Sequence, residues 1–311
     1  MAMSMDTSGQ FVVSYLAWAD EGRVWRFDTV RGQVEAIRVS EADRLEVMEW
    51  GDGEVAMIHG FGSERVEITT HTCVDLARAT RRVVLEDGRA VVDHRGGSWG
   101  DETSCFALPD DAPASGVLGP VVVVVQGREA EWTRLGWSES YDSLYQSLGG
   151  VGYVPESGEL VFGVQRSSNL VVTSGDGSRV VRKVPLAGRG GNPDPYVCCH
   201  GSEVWAVDFD VVVSVDRVSW ETRAACAVPT TSPSGVAQSL GDLWVPGNES
   251  VLVVPRTGTG EVFGLSPVGL SRVGVAVVGG RPIQAVVLPS SRVIARDWMS
   301  GRLLEGEMVA V

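Results

Sequence analysis

From residue 148 onward, short apolar runs alternate with Gly-, Asp- and Ser-containing breaks at a nearly fixed interval. Four stretches can be stacked: "GVGYVPESGELVFGVQRSSNLVVTSGDGSRVVRKVPL", "PYVCCHGSEVWAVDFDVVVSVDRVSWETRAACAVP", "GVAQSLGDLWVPGNESVLVVPRTGTGEVFGLSPV" and "VGVAVVGGRPIQAVVLPSSRVIARDWMSGRLLEGEMV". Each holds four apolar runs. The first and second runs are joined by "ESG", "GS", "GD" or "GG", and the third and fourth by "GDGS", "VSWE", "GTG" or "MSG". Gly and Asp tolerate the positive φ of tight hairpins, so each stretch predicts an antiparallel four-stranded sheet.

The first half follows the same grammar with looser spacing. "LEVMEWGDGEVAMIHGFGSERVEITTHTCVDLARATRRVVL" is a fourfold run, and the stretch from "RAVVDH" to "RLGW" is a longer version with swollen loops. The opening "FVVSYLAWADEGRVWRFDTVRGQVEAIRV" supplies three runs. Seven units result, over 11–44, 45–88, 89–147, 148–190, 191–232, 233–270 and 271–311. A mean spacing of roughly 40–45 residues is that of four-stranded propeller blades. The expected fold is therefore all-β: a seven-bladed β-propeller in one domain over 11–311, with six or eight blades if the long third unit divides differently. Residues 1–10 are expected to be a tail or a short closing strand. Stacked repeats bury their faces on one another, which lets 311 residues form one domain.

"VWRFDTVRGQVEAI", residues 24–37, is similar to the third-strand, turn, fourth-strand signature of the β-propeller repeat superfamily, in the broad WD40, YVTN and quinoprotein-like sense. The resemblance covers nearly the whole chain and implies the fold. It implies no catalytic residues. The Trp-Asp and Gly-His pairs of WD40 blades are missing, as are the Trp-containing consensus of quinoprotein dehydrogenases and the sialidase Asp-box.

Charge changes the list of partners. The net charge of −14 disfavours nucleic acid and anionic membranes, because phosphate binding needs Lys/Arg clusters. "MAMSMDTSGQ" lacks the basic residues of a leader, and no run approaches the ~18 apolar residues of a membrane span. Five cysteines, an odd number, fit reduced thiols in a cytoplasm. Lys183 is the single lysine beside many arginines, a codon-usage pattern of GC-rich bacterial genomes.

"YVCCHGSEVWAVDFD", residues 196–210, gathers two cysteines, a histidine and several acids. The unit pattern makes "YVCCHG" an innermost strand and "EVWAVDFD" the second, with Gly201-Ser202 between. Alternation sends Cys198 and Cys199 to opposite faces, leaving Cys198 and His200 as at most two ligands. Asp208 lies roughly 17 Å from the turn at ~3.3 Å per residue, far outside a coordination sphere of ~2 Å. These thiols are expected to be core filling. Cys73, Cys105 and Cys226 lie in or beside strands without C-x-x-C spacing. His59, His71, His94 and His200 fall on strands of units two, three and five as structural groups. Most of the ten tryptophans are expected to pack between blades, with Trp99, Trp137 and Trp220 on loops. No H-E-x-x-H or Walker A motif occurs. No metal and no cofactor is expected.

The longest insertions mark the functional face. "PDDAPASGVLG" (109–119) is a second-to-third-strand loop, and "WSESYDSLYQSLGG" (137–150) and "AGRGGNPDP" (187–195) join one blade to the next. Such connections open on one face, and loops on a rigid scaffold carry function. Tyr141, Leu144, Tyr145 and Leu148 recur at i, i+3, i+4, i+7, which predicts a short helix with Trp137 just before it. Asp20, Glu21, Arg23, Arg65, Asp110, Asp111, Arg166, Asn192, Asp194, Asp208, Asp210, Asn248, Glu249 and Arg292 stand at strand ends expected on the same face. The expected function is a non-catalytic cytoplasmic scaffold binding a protein partner there. The alternatives are a lyase or hydrolase at the channel mouth and a carbohydrate-binding propeller.

Overall fold

A computed structural model describes residues 2–6, 8–15, 20, 22–38, 45–51, 53–59, 66–85, 98–99, 103–108, 121–126, 129–134, 148–154, 157–164, 169–174, 179–186, 197–200, 203–208, 211–228 and 251–311. The first sheet is β1 (Ala2–Met5), β2 (Phe11–Tyr15), β3 (Arg23–Asp28) and β4 (Gln33–Arg38). The second is β5 (Leu45–Gly51), β6 (Glu54–His59), β7 (Val66–Thr72) and β8 (Arg81–Leu85). The third is β9 (Ser98–Trp99), β10 (Thr103–Leu108), β11 (Val121–Gln126) and β12 (Glu129–Arg134). The fourth is β13 (Leu148–Val154), β14 (Glu159–Val164), β15 (Asn169–Thr173) and β16 (Val180–Pro185). The fifth is β17 (Val197–His200), β18 (Glu203–Asp208), β19 (Val211–Asp216) and β20 (Thr222–Ala227). Then come β21 (Leu252–Arg256), β22 (Glu261–Leu265), β23 (Arg272–Val277), β24 (Pro282–Val287), β25 (Arg292–Asp297), β26 (Leu303–Glu307) and β27 (Val309–Ala310). Among the described residues this makes seven sheets, the sixth ordered β21-β22-β23-β27 and the seventh β24-β25-β26.

Packing divides the chain into two compact units, Met1–Leu144 with Thr173–Val180, and Tyr145–Val172 with Val181–Val311. In the first, β1 lies beside β5, and β5 beside β9. Val13, Tyr15 and Val24 of the first sheet pack on Val55, Met57, Cys73 and Leu76 of the second unit of sequence. In the second, β13 lies beside β17 and β21 beside β24. This sheet-on-sheet packing explains the valine runs. A strand covered on both faces has no polar side, so it reads as continuous apolar sequence. Every residue of β19, "VVVSVD", is buried, whereas its outer neighbour β20 is exposed at alternate or consecutive positions. The outermost β4 and β16 are exposed in the same way.

Residues 2–5 supply the innermost strand of the first sheet, pairing Ala2–Met5 with Val12–Tyr15. The other end of the chain departs from the spacing. The run 272–277 stands at the start of the last sequence unit, yet β23 is hairpinned to β22, with Gly264 opposite Gly274. The link to β24 explains why. Gly279 and Gly280 have φ of 74° and 57°. The N–H groups of Val278 and Gly279 donate to Gly260 O at 2.9 and 3.0 Å. The chain is thereby tied to the β21–β22 turn and carried out of the sheet, where a hairpin back would have paired β23 with β24.

One turn recurs. In "DTVRG", "DRVSW" and "DWMSG" the aspartate closes a strand, and the residue four positions later has positive φ: Gly32 (64°), Trp220 (60°) and Gly301 (65°). The carboxylate accepts from backbone N–H groups two and three positions on, Val30 and Arg31 for Asp28, Val218 and Ser219 for Asp216, Met299 and Ser300 for Asp297. Aspartate is suited to this because its short carboxylate reaches turn amides that the ladder leaves unpaired. The turn of "VWRFDTVRGQVEAI" is the first of the three.

Candidate functional site

Among the residues expected on the loop face, Trp137, Tyr141, Leu144, Tyr145, Asp110, Asp111, Asn192, Asp194, Arg65, Arg166 and Asn248 lie outside the described residues. Leu148, the last position of the expected helix, instead opens β13, where it pairs with Val164, so the insertion ends before it. Asp208 is the last residue of β18, opposite Val211. Two others have structural partners. Asp20 is buried and accepts the indole N–H of Trp25 at 2.9 Å. Arg292 pairs with Glu305 across β25 and β26 at 2.9 Å.

The Cys-Cys-His segment forms the expected hairpin, with Cys198 opposite Trp205, Cys199 opposite Val204 and His200 opposite Glu203. Among the described residues no group of three or more His, Cys, Asp or Glu is placed to hold a metal ion. Trp205 is buried and donates its indole N–H to Pro267 O at 3.3 Å. Trp220 sits in a turn, as expected of a loop residue, but it is buried, with the Arg182 guanidinium 5.2 Å from its ring centre. Phe263 is flanked by two cations, Arg272 at 4.2 Å and Arg256 at 6.0 Å from its ring centre. Burial pushes the Cys226 thiol up against the opposing pull of Arg272, so this cysteine is a poor nucleophile.

Two of the histidines, expected as separate structural groups, share one partner. β6 and β7 are adjacent, and Val55 faces His71, Met57 faces Thr69 and His59 faces Glu67. Positions two apart share a face, so His59, Thr69 and His71 meet on one side of the hairpin. Thr69 Oγ1 lies 3.1 Å from His59 Nε2 and 2.9 Å from His71 Nε2. A hydroxyl donates one proton, so with both rings neutral one Nε2 accepts from Thr69 and the other donates to it. The signal for this was in the sequence as "TTHT" opposite "MIH", legible only once the register is known.

Burial lowers the pKa of both rings. At His59, Glu67 opposes that shift and Arg82 adds to it. At His71, His59 adds to it, while the Leu76 and Arg78 backbone and Asp75 oppose it. A ring whose pKa is lowered on folding stabilises the fold fully above its unfolded value of about 6.5, and that contribution is lost as pH falls from there through the folded value. Urea midpoints between pH 8 and 5 are expected to fall as pH drops through this window. The double variant His59→Gln/His71→Gln should show a shallower fall; an equal slope in both proteins would remove the pair from the account.

No protein-family model and no curated protein matches the chain. Solved structures do. The β-propeller domain of Cps50 (Swd1) from Myceliophteria thermophila superposes at a TM-score of 0.67 with 12% identity, over 99% of this chain and 96% of that one. A chain of the mitotic checkpoint complex superposes at 0.62 with 11% identity, over 99% of this chain and 86% of its own. The all-β sheets and this likeness together establish that the protein has the β-propeller fold.

Proposed function

We propose that this protein is a non-catalytic cytoplasmic scaffold, one propeller domain that holds a protein partner on its insertion-rich loop face. The observation that carries the reading is where the long connections fall. Residues 109–120 join β10 to β11, residues 135–147 join β12 to β13, and residues 187–196 stand between β16 and β17. In an up-and-down four-stranded sheet, second-to-third connections and sheet-to-sheet connections leave from the same end. Length added at that end of a sheet is added on the same side of that sheet, and loops on a rigid scaffold carry function. A chain seated in a structure of the mitotic checkpoint complex has this fold, which supports a role in assembly. The acidic balance, net −14, supports a protein partner over nucleic acid.

The test is affinity capture from the source cells, followed by alanine substitution at Trp137, Tyr141, Leu144 and Tyr145. An identified partner is expected to bind the wild-type protein and to lose at least about 10-fold in affinity with these variants, as removal of aromatic anchors does, while the melting temperature holds. Turnover of a small molecule, abolished by substitutions at inner-strand residues, would replace the scaffold reading with an enzyme.

A further inference from the structure

The two histidines on Thr69 lie in a seam between sheets. Val55 and Met57 share their face of the β6–β7 hairpin, and both pack with Val13, Tyr15 and Val24 of the first sheet. The pair therefore sits where the first sheet meets the second. Segment 73–79 follows β7 and adds Cys73 and Leu76 to the same core. Cys73 N–H donates to Gly53 O at 2.8 Å and Thr80 N–H to Thr70 O at 2.7 Å, which ties the segment to the second sheet. Arg26 of the first sheet reaches across to Val74 O. Thr69 and His71 are buried and His59 is half-buried.

Burial fixes where the protons of this contact lie. His71 Nδ1 makes no hydrogen bond, although the Leu76 and Arg78 backbone is near enough to favour a charged ring. A buried N–H without an acceptor is rarer than a bare acceptor, so the His71 proton belongs on Nε2. His71 Nε2–H then donates to Thr69 Oγ1, and the Thr69 hydroxyl donates to His59 Nε2. One more proton breaks this relay. Added at His59 Nε2, it leaves both rings donating to one oxygen, and the hydroxyl proton of Thr69 loses its acceptor in a buried place. It also puts a charge on a face packed against apolar residues of the first sheet.

The charges around the pair are already engaged. Glu67, opposite His59, pairs with Arg82 at 2.7 Å, and Arg82 stands opposite Thr69. From the first sheet, Arg26 pairs with Glu35 at 2.7 Å, Asp28 accepts from Val30 and Arg31 N–H, and Tyr15 is buried in the shared core. Asp75 and Arg78 are the charged residues of segment 73–79, and Asp75 accepts from Ala77 and Arg78 N–H. On β5, Glu49 stands opposite Val55 in the row of His71. β1 brings no charged side chain. Burial lowers the pKa of both rings, the direction this arrangement requires.

We propose that the His59–Thr69–His71 relay is an acid-sensitive latch on the seam between the first and second sheets. With both rings neutral it holds the seam closed. One added proton lets the two sheets part locally while each keeps its own ladders. His59 is half-buried, so a small separation brings water to the new cation. The acid loss of stability is thereby confined to one seam instead of being spread over the fold. The latch uses no residue of the loops at 109–119, 137–150 and 187–195, so its failure leaves the loop-face reading standing.

The test is hydrogen exchange on the full chain at pH 8 and pH 5, corrected for the intrinsic pH dependence of amide exchange. Protection of 11–28 and 54–72, relative to 252–265, is expected to fall at least about 10-fold at pH 5, the factor that one unit of pKa difference between closed and open seam supplies. In His59→Gln/His71→Gln that ratio should be the same at both pH values. A wild-type ratio unchanged by pH, or a fall that survives in the double variant, overturns the proposal. Proton NMR of the wild type decides the point should the double variant fail to fold. Two of the four histidine Cε1–H signals should move through the same two midpoints, as coupled sites do. Four independent one-step titrations overturn the latch.

Discussion

Replacing Trp205 with alanine is expected to destabilise the protein by about 3–5 kcal/mol, the range for removing a buried aromatic side chain. Trp205 is 2% exposed and packs with Val207 and Val212 of its own sheet and with Leu252, Val254, Phe263, Leu265 and Leu270 of the next. Its loss opens a void between two sheets, and strands held on both sides by ladders have little freedom to close it. Trp205→Phe keeps most of the ring and loses the hydrogen bond to Pro267 O, so about 1 kcal/mol is expected for the bond, with a smaller cavity cost added. Trp298, 47% exposed, supplies the control. Trp298→Ala should leave the denaturation midpoint nearly unchanged. Equal effects of Trp205→Ala and Trp298→Ala in urea titrations would mean that the fifth and sixth sheets do not depend on this contact.

The contrast between these tryptophans also marks what sequence could and could not reveal. Strands separated by Gly-, Asp- and Ser-containing turns are a local signal, and "YVCCHG" with "EVWAVD" reads as a hairpin because each residue's face follows from its neighbours. Residues 2–5 form an innermost strand, yet four residues carry too little pattern to separate a strand from a tail in sequence. The pairing of β23 with β22 departs from the spacing for a different reason. "VGVAVVGGRPIQAVV" looks like two strands and a Gly-Gly hairpin, and only the hydrogen bonds from Val278 and Gly279 to Gly260 show that the glycines make an exit. Spacing placed Asp20 on a polar rim because nothing local shows that Trp25 needs its carboxylate. The His59–Thr69–His71 contact depends on cross-strand register, which one-dimensional spacing leaves free to shift. Most of the loop-face candidates lie outside the described residues, so for them the reading still rests on insertion length and side-chain type.

Gly260 and Gly32 provide the sharpest test of the exit from the sixth sheet. Both have left-handed φ, 70° and 64°. An L residue there costs roughly 1–2 kcal/mol, a cost the fold already carries at Trp220 and Leu270, where φ is 60° and 55° and burial of a large side chain offsets it. Around Gly32 a Cβ meets nothing within 4 Å, so Gly32→Ala should cost the conformational term alone, about 1–2 kcal/mol. At Gly260 the added Cβ would lie 2.8 Å from Gly279 Cα and C, and backbone cannot rotate aside as a side chain can. The link must shift, and with it the two hydrogen bonds that Gly260 O accepts. Adding to that conformational cost about 1–3 kcal/mol for overpacking and about 1 for each of the two strained bonds, Gly260→Ala is expected to cost on the order of 4–7 kcal/mol. Because the same link sets the start of β24, amide exchange in β24 should rise in Gly260→Ala and stay unchanged in Gly32→Ala. Matching midpoints for the two variants would show that the approach of Gly279 is not what carries the chain out of the sheet.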